Sequence, residues 1–358
     1  MSAEGSHEKP PEDQPGANIN RHVETPAAVR GPHGLRRLLP AVLAAGVLLA
    51  VGVSEAVLPL RRASGPAQTP VPTVSPMPTP VPTVTALPEF DGQRALDLAR
   101  AQMELGPRIP GSPAHAAFLQ WAQAEMVKNG WIVEVQTGQQ QGQPVQNVVA
   151  RRGNGSPWIV LGAHYDSRLQ ASQDPDPTKR TTPVPAANDG AAGVAALLEL
   201  ARVLPVDLNK QVWIVLLDVE DNGEIAGWDW TLGARYFVSQ LPSNPDAFVL
   251  LDMIGDRDLN IYQERNSTPA LVEQIWAAAA RLGYQKQFIA ELKYSMEDDH
   301  TPFLQAGIPA ADLIDFDYPY WHTTADTLDK ISAASLQVVG DTLLAWLKDP
   351  DSPPGVEK

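Results

Sequence analysis

The chain has 358 residues, 44% of them hydrophobic and 19% charged, which excludes global disorder and leaves room for about two domains, or one large domain with appendages. It has no cysteine, so disulfides, thiolate metal sites and cysteine nucleophiles are excluded, and any metal must be held by His, Asp and Glu. Lys and Arg number 27 against 42 Asp and Glu, a formal charge of −15 that argues against nucleic acid as a partner.

Residues 1–35 are polar, rich in Pro, Gly and Glu, and have no hydrophobic period; they are expected to be a disordered tail. Residues 36–62 follow as an expected transmembrane signal-anchor. Leu38 to Val53 carries no charge, and with Ala56 to Leu60 the segment reaches the roughly 20 residues that a bilayer core requires. A cleaved signal peptide, with Ser54-Glu55-Ala56 as the cleavage site, is the alternative and would give a secreted protein. Arg21, Arg30, Arg36 and Arg37 precede the span and only Arg61 and Arg62 follow closely, which favours an inside amino terminus and an extracytoplasmic bulk. Residues 63–88 alternate Pro with Val and Thr, a linker expected in polyproline II.

From residue 89 the composition becomes globular. Residues 1–62 carry seven basic and six acidic side chains, so the remainder holds 20 and 36, and the acidity belongs to the folded part. Asp91 is placed to cap a helix reaching Leu105, and Ser112, followed by Pro113, to cap a second that ends at Gly130. Strands are expected at 131–137, 147–152, 158–164, 212–218, 248–254, 259–264 and 308–316. Helices are expected at 190–204, 231–241, 268–283 and 332–347. Such alternation predicts an α/β protein, a three-layer αβα sandwich with a mixed, mostly parallel central sheet over residues 89–348, then a tail over 349–358.

In open α/β sheets ligands bind beyond the carboxyl ends of the strands. His164 and Asp166 follow one strand, Glu220 and Asp221 another, Asp252 a third; His322 follows the last, and Asp189 opens a helix. Taken singly, Asp189 reads as an N-cap, Glu220-Asp221 as a solvated acidic loop and His322 as a packed turn residue. Taken together, clustered carboxylates repel unless a cation joins them. Imidazole and carboxylate without thiolate suit catalytic zinc.

The segments GPRIPGSP (106–113), GAHYDSR (162–168), PAANDGAAGVAALLELAR (185–202), LLDVEDNGE (216–224), LLDMIGD (250–256), EDDHTPFLQAGIP (297–309) and YWHTTADT (320–327) resemble, in order, the zinc exopeptidases of the aminopeptidase and glutaminyl-peptide cyclotransferase family. The resemblance implies one or two zinc ions. It implies Asp189 as the shared ligand, His164 and Asp252 completing one site, and Asp221 and His322 the other. It further implies Glu220 as general base, with Asp166 behind His164, and peptide substrates bound through their amino termini. The family usually has two consecutive glutamates where this chain has Glu220-Asp221, so Asp218 and Glu224 stand as fallback ligands. Hydrolysis of amino-terminal residues by a metal-activated water is the first expectation. Cyclisation of amino-terminal glutamine is the alternative, favoured by GPRIPGSP, by Asp298 as a partner of Glu220, and by Trp321, with Trp228 and Trp321 walling an apolar pocket. A non-catalytic binding ectodomain is a third reading, which the complete ligand set and Glu220 oppose.

Overall fold

A computed structural model describes residues 88–355. The expected tail, membrane anchor and nearly all of the linker lie outside the described residues, as do the last three residues of the chain. Among the described residues no helix is long and apolar enough to cross a membrane.

Capping residues begin the first two helices as anticipated. Asp91 accepts from the backbone N–H groups of Gln93 and Arg94 and starts α1 (Gly92–Glu104); Ser112 accepts from His115 and starts α2 (Pro113–Lys128). A hairpin follows, β1 (Ile132–Gln140) and β2 (Gln143–Arg152), then β3 (Trp158–His164), α3 (Gly193–Val203) and β4 (Gln211–Leu217). Next come α4 (Leu232–Ser239), β5 (Ala247–Asp252), β6 (Ile261–Gln263) and α5 (Pro269–Arg281). The chain continues through β7 (Phe288–Leu292), α6 (Thr301–Gln305) and β8 (Ala310–Ile314) to α7 (Ala333–Lys348).

Six strands form one sheet in the order β1-β2-β4-β3-β5-β8. β2 is antiparallel to both neighbours, while β4, β3, β5 and β8 are mutually parallel, so the sheet is mixed and mostly parallel as expected. Alternate side chains define the layers, as the two-residue period of a strand dictates. Ile159, Leu161, Ile214, Leu216, Val249 and Leu251 pack toward α1, α2, α3, α5 and α7. Val160, Val215, Phe248 and Leu250 pack toward Ala234 and Phe237 of α4 and Phe303 of α6. Each such side chain, fully buried, contributes about 1.5–3 kcal/mol. β6 and β7 make a separate two-stranded parallel sheet.

Two departures from expectation have simple causes. The hairpin is longer than the apolar pattern suggests because its turn end is polar: Gly138, Gln139 and Gln140 pair with Val145, Pro144 and Gln143. The expected tail is docked over 349–355, because buried Lys210 donates from Nζ to the Leu347 and Asp349 carbonyls and to Ser352 Oγ.

The chain passes from β3 to β4 on one side and then to β5 on the other, so β3 is the strand at which the order reverses. The crevice at its carboxyl end is where ligands enter such sheets.

Candidate metal centre

Two strand ends and three loops converge at that crevice. His164 is the last residue of β3 and Asp252 the last of β5, its parallel neighbour. Glu220 and Asp221 lie in the turn after β4, Asp189 in the turn before α3, and His322 in the loop after β8. Asp189 is not an N-cap. Its backbone is non-helical (φ −83°, ψ 82°), Gly190 follows with φ +114°, and α3 begins at Gly193 with no side-chain cap. Only glycine accepts that φ without strain. A Cβ at Gly193 would come within 2.3 Å of the Leu251 carbonyl, so glycine there lets α3 seat against β5 and brings Asp189 over the strand ends.

The two carboxylate oxygens of Asp189 face two imidazoles. Oδ1 lies 3.1 Å from His164 Nε2 and Oδ2 lies 3.7 Å from His322 Nε2. His164 Nε2 is also 3.2 Å from Asp252 Oδ1, and His322 Nε2 is 2.7 Å from Asp221 Oδ1. Two triads result, His164–Asp189–Asp252 and Asp189–Asp221–His322, each with ligand atoms within 4.8 Å of one another. All five residues are buried. Among the described residues, Asp189 Oδ2, Asp221 Oδ2 and His164 Nδ1 have no hydrogen-bond partner. Buried polar atoms are rarely left so, and these are carboxylate and imidazole atoms, the donors that zinc prefers; the residues fit a metal. Of the fallback ligands, Asp218 is engaged by His115 Nε2 at 2.8 Å and by the Gln146 N–H, and Glu224 is exposed.

Burial and neighbouring charge set the ionisation of these groups. Burial opposes the charge on Asp189, but the hydrogen bond and charge of His164 and the charge of His322 outweigh it and hold its carboxyl below the usual range. Burial, reinforced by the Asp221 and Asp298 carboxylates, pushes Glu220 well up. Burial and then Asp252 lift Asp298 to about 7. A dication among the ligands favours ionised carboxylates and neutral imidazoles.

Asp166 stands behind His164, as expected, and also holds the neighbouring turn. It lies 3.5 Å from His164 Nδ1, a charge contact too long for a strong hydrogen bond. Its firmer bonds are to the turn after β4: Oδ1 accepts from the Glu220 N–H at 3.0 Å, and Oδ2 from the Asp221 N–H at 3.3 Å and Asn222 Nδ2 at 3.2 Å. That turn needs holding, because the β-branched Val219 sits at φ +55°.

Several positioning residues escaped sequence reasoning. Arg168 donates to the Asp221 and Gly223 carbonyls at 2.8 and 3.1 Å, and its guanidinium lies 5.0 Å from the Trp230 ring centroid. Asp326 accepts from the Asn188 and Asp189 N–H groups and from the Tyr318 hydroxyl. Asp174 accepts from the Thr324 N–H at 2.9 Å and from its hydroxyl, two residues beyond His322. Each holds a metal-facing turn through its backbone, and only the "D-S-R" and "T-A-D" tails of the motifs hint at two of them.

A cleft of about 170 Å³ opens over the triads. Glu220 and Asp298 both line it, with Trp321, Phe316, Ile314, Met253 and Met296 as apolar wall. Trp228 does not line it, contrary to expectation; it packs against Val145, Val219 and Leu232. Trp230, two residues on, takes that place and lies parallel to the His322 ring at 6.1 Å, while Trp321 stacks on the same imidazole at 3.8 Å.

Paired carboxylate–imidazole triads at the switch point of such a sheet, with a buried carboxylic acid beside them, define a metal-dependent enzyme of the zinc exopeptidase class. The sequence profile of peptidase family M28 matches residues 147–347, and the chain belongs to that family. The glutaminyl-peptide cyclotransferase-like protein of Bos taurus is 27% identical over 283 residues, 68% of this chain and 72% of its own. Aminopeptidase YwaD of Bacillus subtilis is 28% identical over 205 residues, 52% of this chain and 40% of its own. Among solved structures, a Zn-dependent exopeptidase from Parabacteroides distasonis superposes with a TM-score of 0.70 at 31% identity, covering 74% of this chain and 100% of that one. A glutaminyl cyclase from Bacteroides thetaiotaomicron does so with 0.70 at 30%, covering 74% and 99%. Relatives of both chemistries, hydrolytic and cyclising, are therefore on hand.

Proposed function

We propose that the chain acts on the amino-terminal residue of peptides, and that the pocket is built for cyclisation of an amino-terminal glutamine. The observation that carries this is the cleft itself: an aromatic and aliphatic wall around two buried carboxyls, Glu220 and Asp298, that border the same space. Cyclisation consumes no water, so an apolar wall costs it nothing. It does require one proton to leave the α-amine and one to reach the departing amide nitrogen.

Asp189, Asp221 and His322 would hold one zinc ion, and His164, Asp189 and Asp252 a second. When bound, zinc supplies Lewis acidity toward a carbonyl oxygen. Glu220 takes the proton from the α-amine, whose nitrogen then attacks the γ-carbonyl carbon and closes the ring. The γ carbon–nitrogen bond breaks, Glu220 returns the proton to the leaving nitrogen, and ammonia departs. Asp298 borders the same space and shares the proton load with Glu220. Trp321 stacks on the His322 ring, and Trp230 lies parallel to it.

Hydrolysis of the amino-terminal peptide bond is the second reading, favoured by the completeness of both triads around Asp189, which gives two metal places where cyclisation needs one. There Glu220 takes its proton from water and passes it to the leaving amine. Mass spectrometry of a glutamine-initiated peptide decides between them: cyclisation loses ammonia with the peptide intact, whereas hydrolysis frees glutamine. An unchanged peptide in the presence of zinc rejects the first reading, and retention of every aminoacyl bond in a mixed peptide set rejects the second.

The same proposal places the catalytic domain outside a membrane, tethered through residues 38–60 and a proline-rich spacer. External protease that spares the domain in intact cells contradicts it.

A further inference from the structure

The aromatic wall continues past the cleft. Trp321 meets Phe316 edge to face at 5.0 Å, Phe316 meets Tyr294 at 5.3 Å, and Tyr294 meets Tyr262 at 6.4 Å. Trp321 and Phe316 line the cleft, whereas Tyr294 and Tyr262 lie beyond it, and all four are half-buried. Lys293 fixes the outer pair: its Nζ is 4.1 Å from the Tyr262 ring and 4.9 Å from the Tyr294 ring. It is also 2.7 Å from Asp317, which accepts from the Tyr294 hydroxyl. The ion pair leaves no net charge on the row and holds Tyr294 in place, so little side-chain freedom remains to be lost when a ligand lands on it.

We propose that this row is a subsite for the second and third residues of the peptide substrate, selecting aromatic or large aliphatic side chains there. The proposal rests on the amino-terminal reading above: a peptide whose first residue occupies the cleft must carry its remaining chain over the rim. From Trp321 to Tyr294 is about 10 Å of ring-to-ring path, of which the two steps from first to third residue of an extended chain cover about 7 Å and the third side chain the rest. A chain leaving past Phe316 therefore brings its third residue to Tyr294. The row is continuous with the cleft wall, which makes the substrate's own chain its occupant. Aromatic contacts of this kind add to simple area burial.

The test uses the purified enzyme with zinc and two peptide series, one beginning with glutamine and one with leucine, in which the second or third residue is alanine or phenylalanine. The row predicts at least a fivefold higher kcat/KM for phenylalanine at one of these positions, expressed in KM. Tyr294→Ala brings that ratio within twofold, and Tyr294→Phe keeps it. A wild-type ratio within twofold, or a ratio unchanged in Tyr294→Ala, overturns the subsite while leaving the proposed reaction standing. If neither series reacts, the proposed reaction fails, and the row is judged by tryptophan-fluorescence titration of the same peptides: equal affinities for alanine and phenylalanine overturn it, and a fivefold difference lost in Tyr294→Ala supports it.

Discussion

His322 Nε2 lies 2.7 Å from Asp221 Oδ1, the shortest contact among the five buried metal-facing side chains. An aspartate stands at this position, where the family it resembles usually carries glutamate, and the turn that presents it is firmly held. Val219 turns at φ +55°, Asp166 holds the next two N–H groups, and Arg168 draws in the Asp221 carbonyl.

We therefore propose Asp221, and not Asp218 or Glu224, as the ligand at this position. Asp221→Asn is expected to weaken zinc binding at least 100-fold by chelator competition, and Glu224→Gln to leave it within threefold. Equal losses in the two variants contradict the assignment.

Glu220 reaches the cleft without belonging to either triad. Glu220→Gln is expected to keep zinc at wild-type stoichiometry while kcat falls by about 10²–10⁴-fold, the usual contribution of a positioned acid–base group. Steady-state kinetics paired with metal analysis checks both halves. Near-normal turnover removes Glu220 from proton transfer.

Trp230 and Trp228 separate cleft wall from packing. Trp230 bears on both Arg168 and His322, so Trp230→Ala is expected to lower kcat/KM at least tenfold. Trp228→Ala is expected to lower Tm and to leave kcat/KM within threefold. The reverse pattern contradicts the placement.

Much of this site was legible in the sequence because strand ends are. A continuous apolar run such as 212–217 announces a buried parallel strand, and the architecture then says that polar residues after it face a ligand. His164, Asp252 and the Glu220-Asp221 turn follow from that alone. Trp230 was not legible, because in "W-D-W" the two rings differ only by a loop conformation that no periodicity reports. Nor were β7 and α6. Three of the five β7 residues are exposed, so it lacks an apolar face, and α6 has only five residues, too short to show a helical repeat. Asp189 taken alone reads as a cap, since a carboxylate before a helix resembles one unless the φ of +114° at Gly190 is known; only the cluster as a whole pointed to a ligand.

Asp315 offers a pH test away from the metal ligands. Burial lifts its carboxyl to about 7, against about 3.9 in an unfolded chain. Between those values the folded protein keeps a proton that the unfolded chain releases, so this group costs stability progressively as pH rises from about 4 to 7, and no further above. Asp315→Asn removes that titration. The Tm of the variant minus that of the wild type is expected to rise through the window and level off. A difference that does not vary with pH contradicts the shift.

Zinc-edge anomalous diffraction from crystals of the zinc-loaded protein bears most directly on the central claim. The account predicts a peak coordinated by Asp189 together with Asp221 and His322, and places any second peak with His164 and Asp252. Saturating zinc with no anomalous density in contact with Asp189 would contradict it.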